Sequence, residues 1–235
     1  MFNAESIVYN WIKRNCKRNK EREVFMNKLS MSGLFTLTEW ITRFAYVNLL
    51  WIGFSVLGLV VFGFFPATVS MFTVIRKWIM GESDIPVFRT FWNTFKKEVL
   101  SSNGLGLVFI LLAGLILFDL NYMKVNNGNF LQLIHIPLYL LIFAILLTIL
   151  YIFPVYVHYN VKFIQLFKNA FYIMLINPLS NIVMLIGMAA TLFVMRVLPG
   201  LSPFFGGSIT SGIIMISCYL AFQKLEKKQK KAQSL

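Results

Sequence analysis

The residues that could act as acids, bases or metal ligands are few in this chain, and they lie far apart. The two histidines, His135 and His158, flank one apolar stretch at its opposite ends. Separated by about 23 residues of helix at 1.5 Å per residue, they would lie roughly 35 Å apart, too far to share a metal ion. No zinc-protease, nucleophile-elbow or nucleotide-binding pattern occurs in the sequence. The sequence therefore predicts no catalytic, cofactor-binding or metal-binding residues, and it favours a protein that is not an enzyme.

Four charged residues are candidates for structural ion pairs. Glu39 and Arg43 are four residues apart, so on a helix they face each other across one turn. We expect this pair to stabilise the start of an apolar helix; a polar contact for a partner protein is the alternative. Asp119 and Arg196 each end an apolar stretch, and charges at the edge of a membrane usually find partners. We expect this second pair to join the two halves of the chain.

Long uncharged stretches place the chain among multi-pass membrane proteins. Of its 235 residues, 58% are hydrophobic and only 13% are charged, whereas soluble domains carry about 25% charged residues. Five stretches are long enough, or nearly so, to cross a hydrocarbon core of about 30 Å as helices. They comprise residues 44–65, 99–118, 125–161, 179–195 and 204–222. The net charge of +13 lies at their ends and in loops, which favours contact with lipid head groups over binding to nucleic acid.

Two segments between the spans have the pattern of surface helices. In residues 85–100 the apolar side chains recur every three or four positions, which predicts an amphipathic helix on the membrane surface or on a partner. Residues 66–80 form a helix that begins at a proline and ends in two basic residues and a tryptophan. Simple anchoring of these helices at the lipid interface is the alternative to partner binding. The predicted partner-contact residues are Pro66, Arg76, Lys77, Trp78, Phe88, Phe91, Trp92 and Phe95.

The second half of the chain resembles the first. The dipeptide Phe-Pro occurs at 65–66 and again at 153–154, and a Phe-x-Asn-x-Phe pattern occurs at 91–95 and at 167–171. Chance matching in a chain with 24 phenylalanines is the competing explanation. The repeat predicts an all-α, polytopic membrane helix bundle of about five transmembrane helices. Each half would consist of a span, a Phe-Pro break, an amphipathic surface helix and a second span.

Basic residues predict the orientation in the membrane. With an external N-terminus, 12 of the 22 lysines and arginines lie inside, and counting from Met26 the ratio becomes 12 to 4. We therefore divide the chain into a basic extension (1–32), which includes a possible mis-assigned start before Met26, a membrane domain (33–223) and a basic cytoplasmic tail (224–235). The alternative is a cytoplasmic N-terminus with a sixth crossing over residues 29–43, which two charged residues make costly.

Four short segments carry a resemblance to a known family. They are Asn-Leu-Leu-Trp at 48–51, Phe-Pro-Ala-Thr at 65–68, Val-Ile-Arg-Lys-Trp at 74–78 and Phe-Arg-Thr-Phe-Trp at 88–92. Together they resemble the YesL-like family, a group of small multi-pass membrane proteins of Gram-positive bacteria that share a domain of unknown function. The resemblance implies a bacterial plasma-membrane location and a gene that often lies beside sugar ABC-importer genes. It implies no catalytic residues.

The resemblance and the surface helices suggest a function. We expect a non-enzymatic accessory protein of a carbohydrate ABC importer that contacts the lipid bilayer and docks on permease subunits. Its contacts would come from the cytoplasmic helices predicted over 85–100 and 161–177. A small transporter or channel acting alone is the alternative, although polar residues within the predicted spans are sparse. An intramembrane enzyme would need a carboxylate or histidine cluster that the sequence lacks.

Overall fold

In the computed structural model, residues 35–125, 132–159 and 163–233 are described, and these residues form α-helices joined by short turns, with no β-strand among them. A single 3-10 turn, Pro199–Leu201, precedes the last helix. The helices in chain order are α1 (Phe35–Leu57), α2 (Phe64–Ile79), α3 (Val87–Val125), α4 (Gln132–His158), α5 (Phe163–Ile176), α6 (Pro178–Val197) and α7 (Ser202–Gln233).

Five of these helices are long and apolar enough to cross a membrane. The spanning segments lie in α1, α3, α4, α6 and α7, and they confirm the predicted all-α, multi-pass membrane bundle. In the second half of the chain, the spans at His135–His158, Pro178–Val197 and Pro199–Lys227 agree with the predicted ones. Helix α5 is apolar but has only 14 residues, so it is too short to span.

The first span differs from the prediction of residues 44–65. Helix α1 is already helical at Phe35, the first residue that the structure describes and nine residues before the predicted start, and it ends at Leu57. A turn follows in which Leu59 and Val60 have positive φ values of 56° and 61°. The turn closes on itself so tightly that a Cβ atom on Gly58 would lie 2.3 Å from the Cα atom of Gly63. Hydropathy alone does not reveal this reversal, because the residues of the turn are as apolar as the helix.

The predicted surface helix over 85–100 and the predicted span over 99–118 form one helix. Helix α3 contains 39 residues and continues through both segments, a length of about 58 Å. No proline or glycine interrupts it before Gly104, so nothing in the sequence ends the first segment. In the second half of the chain, the short helix and the span that follows it are separate helices. Asn177 precedes Pro178 and adopts a non-helical conformation (φ −121°, ψ 63°), which separates α5 from α6.

The predicted internal repeat holds for the order of elements but not for its Phe-Pro breaks. Pro154 lies inside α4, where the helix continues to His158, so the second predicted break is wrong. Pro66 lies in the first turn of α2, a position that tolerates proline because its missing N–H would have no helical partner. Each half thus comprises a span, a short helix and a span. The two short helices differ, because α2 is mostly buried and α5 is mostly not.

Helix α2 is the centre of the unit formed by residues from Ala45 onward. It packs against α3, α4 and α7, and ten of its sixteen residues are buried. Stacked aromatic rings fill the contact between these helices. The ring centroids of Phe72 and Phe153 lie 5.6 Å apart, and those of Phe65 and Phe109 also lie 5.6 Å apart. The core is therefore built on a helix too short to cross the membrane.

A buried asparagine ties α1 to the start of α7. The Asn48 side chain is 1% exposed; its Nδ2 donates to the Pro203 carbonyl at 2.7 Å, and its Oδ1 accepts from the Ser208 N–H at 2.8 Å. The Asn48 side chain packs directly on the backbone of α7, since a Cβ atom on Gly207 would lie 2.9 Å from Asn48 Oδ1. On the same face of α1, Trp51 Nε1 donates to Thr68 Oγ1 of α2 at 3.0 Å. These polar contacts fix α1 in apolar surroundings.

Replacement of Asn48 by alanine should therefore lower the free energy of unfolding by roughly 1–2 kcal/mol, because it removes both hydrogen bonds to α7. Thermal unfolding of the purified protein in detergent measures the effect. Asn93→Ala is the matched control, because Asn93 is exposed on α3. Equal unfolding temperatures for the two variants would contradict the proposed tie.

Candidate functional site

A polar cavity of about 510 Å³ opens where α2 and α4 end and α3 begins. Helix α2 contributes Arg76 from its last turn. The first part of α3 contributes Lys97 and Glu98, and the end of α4 contributes Tyr156 and His158. We call this space the polar cavity; its other lining residues are Val69, Thr73, Asn93, Thr94, Val157 and Tyr159.

Helix geometry explains why these side chains meet. Arg76 lies in the last turn of α2, where a cation interacts favourably with the helix dipole. Asn93 and Lys97 are four residues apart, so they share one face of α3. Because α2 packs against both α3 and α4, these faces come together at one end of the unit.

One carboxylate of the polar cavity is held by a phenol. The Tyr156 hydroxyl of α4 donates a hydrogen bond to Glu98 Oε2 of α3. Both side chains are partly buried, and a hydrogen bond to a charged group is stronger than one between neutral groups. The contact joins two spanning helices at the wall of the cavity.

A second polar chain joins three helices. Arg76 Nε of α2 donates to His158 Nδ1 of α4 at 3.4 Å. The His158 proton is then on Nε2, which lies 3.6 Å from Glu226 Oε1 of α7. The His158 ring also stacks on Phe222, with ring centroids 4.7 Å apart. Arg76 is therefore oriented by a histidine that is itself fixed by α7.

Tyr159 follows α4 and adds a hydroxyl to the cavity lining. Burial raises the pKa of this phenol, and the nearby Glu226 carboxylate raises the pKa further. The hydroxyl is consequently protonated at neutral pH, and it can donate a hydrogen bond.

The cations of this region differ in their partners. Lys77 Nζ lies 3.6 Å from Glu82 Oε2, and Lys96 lies over the Trp92 ring at 4.9 Å from its centroid. Within the part of the chain that the structure describes, neither Arg76 nor Lys97 forms an ion pair with a carboxylate. The polar cavity thus contains two positive charges without a carboxylate partner.

This arrangement suits binding better than metal chemistry. Among the described residues, no group of three or more histidine, cysteine, aspartate or glutamate side chains could hold a metal ion. Cys218 is fully buried in α7 and is not part of the cavity lining. The lining offers hydrogen-bond donors, one carboxylate and two unpaired cations to a small polar molecule.

The predicted aromatic stripe of α3 packs against Phe54 of α1 and is only partly buried. Phe88, Phe91, Trp92 and Phe95 surround Phe54 of α1, with ring centroids 5.1–6.3 Å from the Phe54 ring. Phe91 is fully buried, whereas Phe88 and Trp92 are partly exposed at 51% and 38%. The continuity of α3 presents this stripe to α1 instead of leaving it free for a partner.

The remaining predicted contact residues also separate. Pro66 and Trp78 are buried on α2, Arg76 lines the polar cavity, and Lys77 pairs with Glu82. The eight residues therefore do not form a single exposed surface.

The two predicted ion pairs have different outcomes. Arg43 Nη2 lies 2.6 Å from Glu39 Oε1 within α1, at the expected spacing of one turn. Asp119 lies near the end of α3 and Arg196 in the last turn of α6. These two described residues form no ion pair with each other in the structure.

Sequence reasoning overlooked the residues that complete the polar cavity. Glu98, Tyr156 and Glu226 were not among the candidate site residues, and His158 was considered as a metal ligand and set aside. A signal was present, since Lys97-Glu98 and Tyr156-x-His158 are polar groups at the two ends of apolar stretches. Their meeting depends on how α2 packs, which no local pattern encodes.

Three proteins of Bacillus subtilis (strain 168) align with most of the chain. "Uncharacterized protein YesL" is 36% identical over 203 residues, which cover 86% of this chain and 96% of YesL. "Uncharacterized protein YteU" is 36% identical over 205 residues (84% and 89%), and "Uncharacterized protein YesV" is 34% identical over 200 residues (85% and 96%). The chain belongs to the YesL-like family. The resemblance expected from the sequence is confirmed.

A family model described as "Protein of unknown function, DUF624" matches residues 44–120 of this YesL-like protein. The matched segment includes Arg76, Lys97 and Glu98, so it contains the α2 and α3 walls of the polar cavity. No solved structure matches the chain.

The contact between Glu98 and Tyr156 can be tested in this YesL-like protein by a double-mutant cycle. Glu98→Ala and Tyr156→Phe should be coupled by about 1 kcal/mol or more in unfolding free energy, because each removes the same charge-assisted hydrogen bond. The control cycle is Lys77→Ala with Glu82→Ala, an exposed pair expected to show less than about 0.5 kcal/mol. Additive effects at Glu98 and Tyr156 would contradict the structure.

Proposed function

We propose that this YesL-like protein is a non-enzymatic accessory protein of a carbohydrate ABC importer in the bacterial plasma membrane. The partner class follows from the gene neighbourhood that the family resemblance implies. The observation that carries the proposal is the exposed apolar face of α5, a short helix at the basic end of the protein.

The basic end of the protein is the end that contains the polar cavity. Cytoplasmic segments collect lysine and arginine, so we infer that this end and the C-terminus face the cytoplasm. The described cations elsewhere are Arg43 of α1, Lys124 near the end of α3 and Arg196 in the last turn of α6. The described cations at the basic end are Arg76, Lys77, Arg89, Lys96, Lys97, Lys168, Lys224 and Lys227.

Helix α5 is apolar on two opposite faces. One face is buried, through Leu166, Ala170, Ile173 and Met174. The opposite face is exposed, and its large side chains are Ile164, Phe171, Tyr172 and Leu175, with exposures of 83%, 41%, 50% and 54%. Aromatic and aliphatic side chains of this kind form the centres of protein interfaces. In this proposal the exposed face packs on a permease subunit.

The proposed docking surface is smaller than the surface predicted from the sequence. The aromatic stripe of α3 is in contact with the Phe54 ring of α1, and Trp78 is buried. Of the two helices predicted to dock, α5 retains a free apolar face.

A transporter acting alone is the second candidate, and the polar cavity is the observation that favours it. The stacked rings of Phe72 and Phe153 lie one helical turn deeper than Arg76 and Tyr156. Their packing fills the space beyond the cavity and opposes a continuous polar path. This arrangement supports the accessory role over conduction.

Co-purification tests the accessory role. The tagged protein, expressed at its native level and extracted in mild detergent, should recover carbohydrate permease subunits in near-stoichiometric amounts. Phe171→Gln combined with Leu175→Gln should reduce that recovery about tenfold or more, because loss of a central interface anchor typically costs at least this factor. Mass spectrometry and quantitative blotting measure the recovery.

Val197→Gln combined with Leu198→Gln is the matched control, since both residues are exposed and apolar but lie at the opposite end of α6. It should leave recovery unchanged. Isolation of the protein alone, even after cross-linking in cells, would reject the accessory role. Uptake of labelled sugar into liposomes by the protein alone would then support the transporter.

A further inference from the structure

We propose that the polar cavity binds a phosphate group, carried by a small phosphate ester or by a phospholipid head group. This site is separate from the docking face of α5. The proposal rests on charge, donor geometry and size, each argued from the residues that line the cavity.

The positively charged side chains of the cavity favour an anionic ligand. Arg76 and Lys97 both line it, and among the described residues neither has a carboxylate within ion-pair distance. Their neighbours Lys77 and Lys96 are engaged elsewhere, by Glu82 and by the Trp92 ring. With Glu98 as the one carboxylate of the lining, the lining keeps one net positive charge, which favours an anion over a neutral ligand.

The carboxylate in the lining does not remove this requirement. Glu98 accepts the hydrogen bond of Tyr156, so one of its oxygens is already used within the wall. The second nearby carboxylate, Glu226, faces His158 Nε2. Both carboxylates keep their negative charge, but their contacts are with α4 side chains and not with Arg76 or Lys97.

Arg76 is pre-oriented for an oxyanion. Its Nε is used by His158, and Glu226 fixes that histidine from the other side. The two terminal nitrogens of the guanidinium remain as donors, and a guanidinium matches phosphate oxygens in fork geometry. Lys97 supplies a second, mobile charge from α3. Two cations suit a phosphate group, which bears more charge than a carboxylate.

The remaining lining defines the size of the ligand. The Asn93 amide and the Tyr159 hydroxyl add donors, whereas Val69 and Val157 supply apolar wall. A volume of about 510 Å³ falls within the usual range for sites of small organic ligands. The site therefore fits a phosphate with a small organic group attached.

The position of the cavity admits two sources for that phosphate. It lies at the end where the spanning helices α3 and α4 reach the basic surface. Both soluble phosphate esters and the phosphates of anionic lipids occur at such a surface. The experiment must therefore distinguish a soluble phosphate ester from a lipid head group.

The test uses the full-length protein in phosphatidylcholine nanodiscs at constant ionic strength. In the first arm, glycerol 3-phosphate is titrated by calorimetry, with chloride as the reference anion. In the second arm, phosphatidylglycerol is added to the nanodiscs, and the thermal stability of the protein is followed without soluble phosphate. Saturable binding in the first arm identifies a soluble ester; stabilisation in the second arm alone identifies a lipid head group.

Lys97→Gln is the decisive variant, because Lys97 is exposed and its loss leaves the packing intact. It should weaken the response in whichever arm is positive by about tenfold, the usual effect of removing one charge-assisted contact. Arg76→Gln should weaken it at least as much. The control Arg196→Gln, at the opposite end, should bind like the unmodified protein. No response in either arm, or equal responses of Lys97→Gln and Arg196→Gln, would overturn the proposal.

Discussion

The burial of α2 is the constraint on which the rest of the structure depends. A helix of 16 residues is too short to cross the hydrocarbon core, yet it carries no charged residue before its last turn, and its three hydroxyl side chains bond to its own backbone. Its faces are covered by α3, α4 and α7. The stacked rings of Phe65, Phe72, Phe109 and Phe153 fill the contact. Because these helices surround α2, the end of α2 determines where polar groups of four helices meet.

Membrane energetics explain why these groups meet at an end. A charged side chain is costly in the middle of a bilayer, so Arg76, Lys97 and Glu98 lie near helix ends. There Arg76 is hydrogen-bonded to His158 of α4, and Glu98 is hydrogen-bonded to Tyr156 of α4. The same requirement places Asn48 in a fully paired arrangement within the apolar core. Asn48 is thus paired inside the bundle, whereas Arg76, Lys97 and Glu98 lie at the basic end, and both proposed activities use that end.

Periodicity and hydropathy were sufficient to predict the positions of those helices that are bounded by clear breaks in the sequence. The spans of α4, α6 and α7, and the short helices α2 and α5, lie close to their predicted positions. The prediction failed where composition does not change at a boundary. The turn around Gly58 is as apolar as α1, and α3 passes from an amphipathic segment into a span without a breaker.

The candidate site was predictable only in part. Arg76 was identified because it ends a recognisable helix, although its expected role was contact with a partner. The contribution of Glu98, Tyr156 and His158 depends on contacts between residues 58 to 82 positions apart in the chain. Such contacts arise from the packing of α2. The aromatic stripe of α3 illustrates the reverse case, because its pattern is real but its partner is Phe54 of the same chain.

We propose that the basic end, which contains the polar cavity, faces the cytoplasm. The most direct test is cysteine labelling of intact cells with a membrane-impermeant maleimide, in a background where Cys16 and Cys218 are alanine. Gly200→Cys, between α6 and α7, and Lys227→Cys, near the end of α7, are both exposed sites at opposite ends of one spanning helix. We predict labelling of Gly200→Cys in intact cells, and of Lys227→Cys only after permeabilisation. Labelling of Lys227→Cys from outside, with protection of Gly200→Cys, would contradict the account.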